Sequence, residues 1–194
     1  IVLIVFCAAF AALGGCAGIP VDEETIVQNR PSRPNPTRFD FPIGYESFSE
    51  DDGRNFLLNR TYSLGYGRYE DLVAVGAVNG SAAEWTEEMS AFGDRALAEG
   101  RYMNAAFYYR AAEVYTPWED TRKSDFYVRF KENFYRAIEG DDYELSDIAY
   151  DDGVLSVLRV NHMTPAKRGT IILHAGYDGF KEELYSIMQY LAAY

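Results

Sequence analysis

The spacing of apolar residues changes from a helical to a strand-like pattern at Gly140, and that change constrains the fold more than any other feature. Before Gly140, apolar residues recur every three or four positions, which is typical of α-helices with one buried side. After it, they alternate with polar residues or form short continuous runs, which is typical of β-strands. We therefore predict an α/β protein with a helical domain over residues 48–140 and a domain with strands over residues 141–194.

Three helices are marked both by apolar stripes and by signals at their ends. The first begins after Ser81, which is a good N-cap residue, and ends at Gly100. The second is stopped by Pro117 and the third by Gly140. Their expected buried residues are Trp85, Met89, Phe92 and Ala96, then Ala105, Tyr108, Ala112 and Tyr115, then Phe126, Phe130, Phe134 and Ile138. A shorter helix is expected over residues 70–78.

Residues 141–194 are predicted to form a β-hairpin, a further strand, a loop and a helix. Alternating residues from Tyr143 to Tyr150, the turn signal Asp151-Asp152-Gly153 and the run from Val154 to Val160 predict the hairpin. Residues 170–173 are mostly apolar, which predicts a strand buried on both faces. A loop over residues 174–179 precedes a helix whose expected apolar side holds Leu184, Ile187, Met188 and Leu191.

The first 16 residues form an apolar run that ends in Leu13-Gly14-Gly15-Cys16. The run is shorter than the roughly 20 residues that span a bilayer, and it suits the apolar region of a secretory signal peptide. The last four residues resemble a bacterial lipobox, which predicts a partial signal peptide over residues 1–16 and lipidation at Cys16. A plain signal peptide or an anchor helix is the alternative. Residues 17–47 are then a flexible, proline-rich tether in a lipoprotein of the bacterial envelope. The expected location is the outer membrane or the cell surface, with the periplasmic side as an alternative.

The composition limits the kinds of partner and cofactor that we expect for this protein. The formal net charge of −12 argues against nucleic acid as a partner. The sequence has no cluster of Cys and His for a metal and no glycine-rich loop followed by Lys and Ser or Thr for a nucleotide phosphate, so we expect no cofactor and no metal. Aromatic residues make up 15% of the chain, which suits helix packing or a pocket for an apolar substrate.

The segment from Ala175 to Glu183 resembles a conserved stretch of one enzyme group. It is similar to the Gly-Gly-Leu-(Asp/Glu)-Ser-x-Lys-Glu-Glu stretch of α/β-hydrolases related to 2,6-dihydroxypseudooxynicotine hydrolase and to the fermentation-respiration switch protein. Residues 67–72, Trp85 and residues 96–115 also look like the helical cap domain of that group. The resemblance implies a helical cap followed by the first strands and first helix of an α/β-hydrolase fold, incomplete in this sequence.

The same resemblance implies a serine hydrolase, in which Gly176 and Tyr177 supply backbone N–H donors to the oxyanion hole. Ala175 replaces the first Gly of the family pattern. The implied Ser-Asp-His triad is absent: the sequence has no Gly-x-Ser-x-Gly, and its two His residues, His162 and His174, precede the place of the nucleophile. We therefore expect the triad beyond residue 194, and a loop-orienting role for His174. Asp178 and Glu182 are expected to cap the helix or form ion pairs at its start.

A second interpretation is a binding protein without catalytic activity. Residues 96–115 resemble one tetratricopeptide unit, through Gly100, Tyr102, Ala105, Tyr109 and Ala112. An envelope lipoprotein with such a helical domain would dock a peptide or another envelope protein. The enzyme interpretation instead implies a small-molecule or peptide substrate. Both interpretations place the protein at a membrane through its lipid, and the sequence carries no signal for an oligomeric state.

Overall fold

A computed structural model describes residues 2–3, 44–163 and 169–193 of the chain. The described residues divide into two compact units at residue 141. The first, residues 44–141, is helical. The second contains the strands and one further helix, and residues 2–3 belong to it. The prediction of a mixed α/β protein is confirmed at this level.

The helical unit contains five α-helices. They are α1 (Asp52–Ser63), α2 (Tyr69–Gly76), α3 (Ala82–Ala98), α4 (Tyr102–Tyr115) and α5 (Arg122–Ala137). The predicted stripes of α3 and α5 are buried, as are Ala105, Tyr108 and Ala112 of α4. Both predicted ends of α3 are also confirmed. The Ser81 hydroxyl accepts from the backbone N–H of Glu84, and the Glu84 carboxylate accepts from the N–H of Ser81. Gly100 follows with a φ of +73°, a left-handed conformation that glycine adopts without strain.

The ends of helix α1 could not be predicted from the sequence, because several of the side chains that it buries are polar. Arg54, Asn59 and Thr61 are buried, whereas Phe56 is 59% exposed. Asn59 also holds the chain before the helix: its side chain accepts from the N–H of Glu46 and donates to the Glu46 carbonyl, both at 2.8 Å. An apolar period cannot reveal a helix whose buried side includes an arginine, an asparagine and a threonine.

A buried carboxylate connects α2 with α4. Asp71 is 4% exposed and accepts hydrogen bonds from Arg68 at 2.6 Å, Arg101 at 3.0 Å and the Tyr108 hydroxyl at 2.9 Å. Burial alone would raise the pKa of Asp71, but the hydrogen bonds from Arg68 and Tyr108 and the charge of Arg101 together lower it. The ionised carboxylate therefore stabilises the packing of the helical unit.

The second unit is built on an antiparallel hairpin. Strand β2 (Tyr143–Tyr150) pairs with β3 (Gly153–Val160) over their whole length, from Tyr143 opposite Val160 to Tyr150 opposite Gly153. Asp151 in the two-residue turn has a φ of +52°, which confirms the predicted tight hairpin. Val157, Leu158 and Val160 of β3 are buried, while most of β2 is exposed.

Two short strands extend this sheet. Strand β1 (Val2–Leu3) pairs antiparallel with β3 and parallel with β4 (Ile171–Ile172), so the strand order is β2-β3-β1-β4. The predicted lipidation residue Cys16 lies outside the described residues, as do residues 4–43 as a whole. The signal peptide therefore stays a prediction, and so does most of the tether.

One prediction in this unit is wrong and another is correct only in part. The strand over residues 170–173 is reduced to β4, and Ile171 and Ile172 are 45% and 53% exposed rather than buried, because the main neighbour of β4 in the described part of the chain is the two-residue β1. The helix expected from residue 180 begins as a 3₁₀ turn, Lys181–Leu184, and continues as α6 (Tyr185–Ala192). Met188 is buried as predicted, whereas Leu184, Ile187 and Leu191 are half-buried. The other buried residues of α6 are Tyr185 and Ala192.

Candidate functional site

The loop between β4 and the 3₁₀ turn contains the residues that the sequence singled out. Its tip is a four-residue turn over residues 176–179, closed by the N–H of Gly179, which donates to the carbonyl of Gly176 at 3.2 Å. Tyr177 and Asp178 are the two central residues, and the Tyr177 side chain is fully exposed. Such a hydrogen bond from the fourth residue to the first defines a β-turn.

The two predicted oxyanion donors are free within the described part of the chain. The backbone N–H groups of Gly176 and Tyr177 donate to no acceptor there. A Cβ atom built on Gly176 would meet nothing within 4 Å, so this side of the loop is open. Ala175 is buried and does not adopt a left-handed φ, so the Ala that replaces a Gly of the family pattern is not strained.

His174 lies at the start of the loop. Its ring Nδ1 is 3.1 Å from the carbonyl oxygen of Ala175, and it donates to that oxygen in the tautomer that carries the proton on Nδ1. This contact joins the ring to the backbone just before the predicted donors. The loop-orienting role of His174 stays a prediction, with a geometry that fits it.

Acidic side chains hold the other end of the loop. The Glu183 carboxylate accepts from the N–H of Phe180 at 2.9 Å, and the N–H of Glu183 donates to the Phe180 carbonyl at 3.1 Å. The expected ion pair of Glu182 is confirmed: its carboxylate is 1% exposed and lies 2.9 Å from Lys181. The capping role of Glu183 was missed, although a Glu in the third position of a helix is a known signal.

In residues 44–163 and 169–193, no group of three or more His, Cys, Asp or Glu side chains could hold a metal ion. None of the helices in those ranges has the length and apolar character that a bilayer crossing needs. What the loop offers chemically is a pair of adjacent backbone donors after a strand.

A second feature, which the sequence analysis missed, is a groove of about 480 Å³ between α3 and α5. Two ion pairs cross it. Arg122 contacts Glu87, and Arg129 lies 2.8 Å from Asp94. The lining residues are Glu87, Ser90, Asp94, Arg122, Asp125, Phe126, Val128 and Arg129.

Comparison with known proteins identified no protein similar to this chain. No protein-family model matches the chain. No curated protein is significantly similar to it, and no solved structure matches its fold.

Proposed function

We propose that this chain is the N-terminal part of a lipid-anchored serine hydrolase with the α/β-hydrolase fold. It would cleave an ester, an amide or an activated carbon–carbon bond by acyl transfer to a serine. In this proposal, the helical unit is the cap that selects the substrate, and the second unit begins the hydrolase domain. Cys16 carries the lipid that anchors the enzyme in the bacterial envelope.

The observation that carries the proposal is the pair of unpaired amides at Gly176 and Tyr177. In acyl transfer, the substrate carbonyl oxygen becomes negatively charged as the carbon becomes tetrahedral, and fixed N–H donors stabilise that charge. In the α/β-hydrolase fold, one donor comes from the loop after a strand near the start of the sheet, and the other follows the nucleophile. The turn over residues 176–179 follows β4 and precedes a helix, which is the arrangement that this role needs.

The remaining catalytic groups would come from residues beyond this sequence. The fold places its triad in the order Ser, acid, His, after the helix that follows the oxyanion loop. His162 and His174 both precede that helix, so neither can be the general base in this order. His174 would orient the loop through its contact with the Ala175 carbonyl.

Proline substitutions in the complete enzyme test the donors directly, because proline lacks the backbone N–H. Tyr177 is the second residue of the β-turn, where proline is well accepted, so Tyr177→Pro removes one amide and leaves the turn intact. Gly176→Pro removes the other amide. The matched controls are Tyr177→Ala and Gly176→Ala, which keep both amides. The first changes a fully exposed side chain, and the second adds a Cβ in open space.

The expected result is that at least one proline variant lowers kcat for p-nitrophenyl acetate about 100- to 1000-fold, as the loss of one oxyanion donor does. Both alanine variants should stay close to the unmodified enzyme, and all four should unfold at a similar temperature. If neither proline variant loses activity, the amides are not the donors. If the alanine variants lose as much as the proline variants, the loop acts through its side chains or its shape, and the proposal is wrong.

A further inference from the structure

The groove between α3 and α5 has a repeated construction. Glu87 and Asp94 on α3 are seven residues apart, and so are their partners Arg122 and Arg129 on α5. Seven residues are two helical turns, or about 10.5 Å along the axis. The residue with the lower number on α3 pairs with the residue with the lower number on α5, so the two helices run in the same direction. Two ion pairs therefore close the groove at two levels and leave an interval between them.

Both guanidinium groups are already engaged by acidic and aromatic partners. Arg122 also contacts Asp120, and the hydrogen bonds that it donates to Asp120 and Glu87 raise its pKa. Arg129 is paired with Asp94 and lies over the ring of Tyr109, 5.1 Å from its centroid. Neither arginine is therefore positioned to receive an anion.

The interval between the ion pairs has an acidic wall and an apolar floor. Asp125 is exposed there and forms no ion pair in the described part of the chain. The lining holds three carboxylates against two guanidinium groups, so one negative charge is left uncompensated. Phe126 is buried at the floor, and Val128, two residues further along α5, is an exposed lining residue. On the opposite helix, the Ser90 hydroxyl can accept a hydrogen bond.

We propose that this groove docks a lysine or arginine side chain from a short basic segment of a partner protein. The cationic head would pair with Asp125 and Ser90, and the aliphatic stem would lie on Phe126, as long basic side chains lie on apolar surface. Charge complementarity selects this occupant, since an acidic or uncharged side chain would leave the Asp125 carboxylate without a counter-charge. The groove shares no residue with the loop over residues 174–179, and the proposal does not depend on the hydrolase assignment.

Charge reversal in the groove, with a matched reversal elsewhere, tests this proposal. Asp125→Lys is compared with Asp52→Lys, because both residues are exposed acids in the first turn of a helix and both changes alter the net charge equally. The probe is the peptide acetyl-Ala-Leu-Lys-Leu-Ala-amide, with Glu in place of Lys as the negative control. Binding to the full chain is followed by ¹⁵N NMR titration in 150 mM NaCl, where charges more than about 8 Å apart are screened.

The expected result is that the Lys peptide shifts amide signals of α3 and α5 around the groove. Asp125→Lys should weaken that binding at least tenfold, Asp52→Lys less than twofold, and the Glu peptide should not bind. Equal weakening by the two reversals would show non-specific attraction to an acidic protein and overturn the proposal. So would shifts outside the groove, or no binding by the Lys peptide. Groove shifts that depend on protein concentration without peptide would assign the groove to a second copy of the chain, which also overturns it.

Discussion

Gly93 of α3 packs directly against the Tyr109 ring of α4, and its replacement by Ala is the sharpest test of this packing. A Cβ atom at this position would lie 2.6 Å from Cε1 and 2.8 Å from Cδ1 of the Tyr109 ring. The ring has little freedom to move away, because it is fully buried and its hydroxyl donates to Asp94 at 2.7 Å. The guanidinium of Arg129 covers the ring as well.

Two effects of Gly93→Ala oppose each other. Ala is favoured over Gly in the middle of a helix by about 1 kcal/mol. Overpacking a tight interior costs about 1–3 kcal/mol, and a fixed aromatic ring places this site at the upper end of that range. We therefore expect the free energy of unfolding of the helical unit to fall by about 1–2 kcal/mol, the difference between these two effects.

Urea unfolding followed by tryptophan fluorescence measures this change, because Trp85 is fully buried in the same helix while Trp118 is 87% exposed. The control is the same substitution in a Tyr109→Leu background, which removes the ring atoms that clash. There Gly93→Ala should be neutral or stabilising by up to about 1 kcal/mol. An equal loss of stability in both backgrounds, or a gain in the unmodified chain, would refute the packing of Gly93 against Tyr109.

Two further predictions concern polar contacts of the helical unit. Asp71→Asn should lower the free energy of unfolding by about 2 kcal/mol, less than a fully buried ion pair would lose because Arg68 and Arg101 are partly exposed. Since the pKa of Asp71 is lowered in the folded state, its contribution is present above its unfolded pKa of about 4 and is lost as pH falls through the folded pKa. The stability difference between the unmodified chain and Asp71→Asn should therefore shrink below about pH 4 in urea titrations, and a constant difference would contradict this assignment. Ser81→Ala removes the side-chain cap of α3 and should cost about 1 kcal/mol in the same assay, whereas Ser124→Ala, which leaves the helix caps unchanged, should cost less.

Helices with complete local signals could be predicted from the sequence. Helix α3 has an apolar stripe, a capping box at Ser81 and a left-handed Gly100 after its end, and each signal acts within a few residues. The hairpin is similar, because the turn at Asp151 and the alternation on either side are local. The ends of helix α1 could not be predicted, because its buried side chains include polar groups whose partners are distant in sequence. One example is Arg54, which donates to the Val78 carbonyl.

Predictions that depended on tertiary contacts were less successful. An apolar run such as residues 170–173 indicates that burial is favourable, but the elements that cover a strand are set elsewhere in the chain. The groove between α3 and α5 could not be predicted from the sequence either. Glu87 and Arg122 are 35 residues apart, and in the sequence each is typical of an ordinary surface charge. For the loop, the sequence predicted that Gly176 and Tyr177 would follow a strand, and the closing hydrogen bond of the turn emerged only from the structure.

We propose that the loop at Gly176 and Tyr177 belongs to a serine hydrolase. Labelling the complete protein with a fluorophosphonate probe, followed by mass spectrometry of its peptides, tests for the nucleophile of that enzyme, since the probe reacts with serines activated by a neighbouring base. We predict one modified serine, in a Gly-x-Ser-x-Gly sequence that follows residue 194, and loss of labelling when that serine is replaced by Ala. A complete protein that remains unlabelled, or that is labelled only within residues 1–194, would contradict the hydrolase assignment.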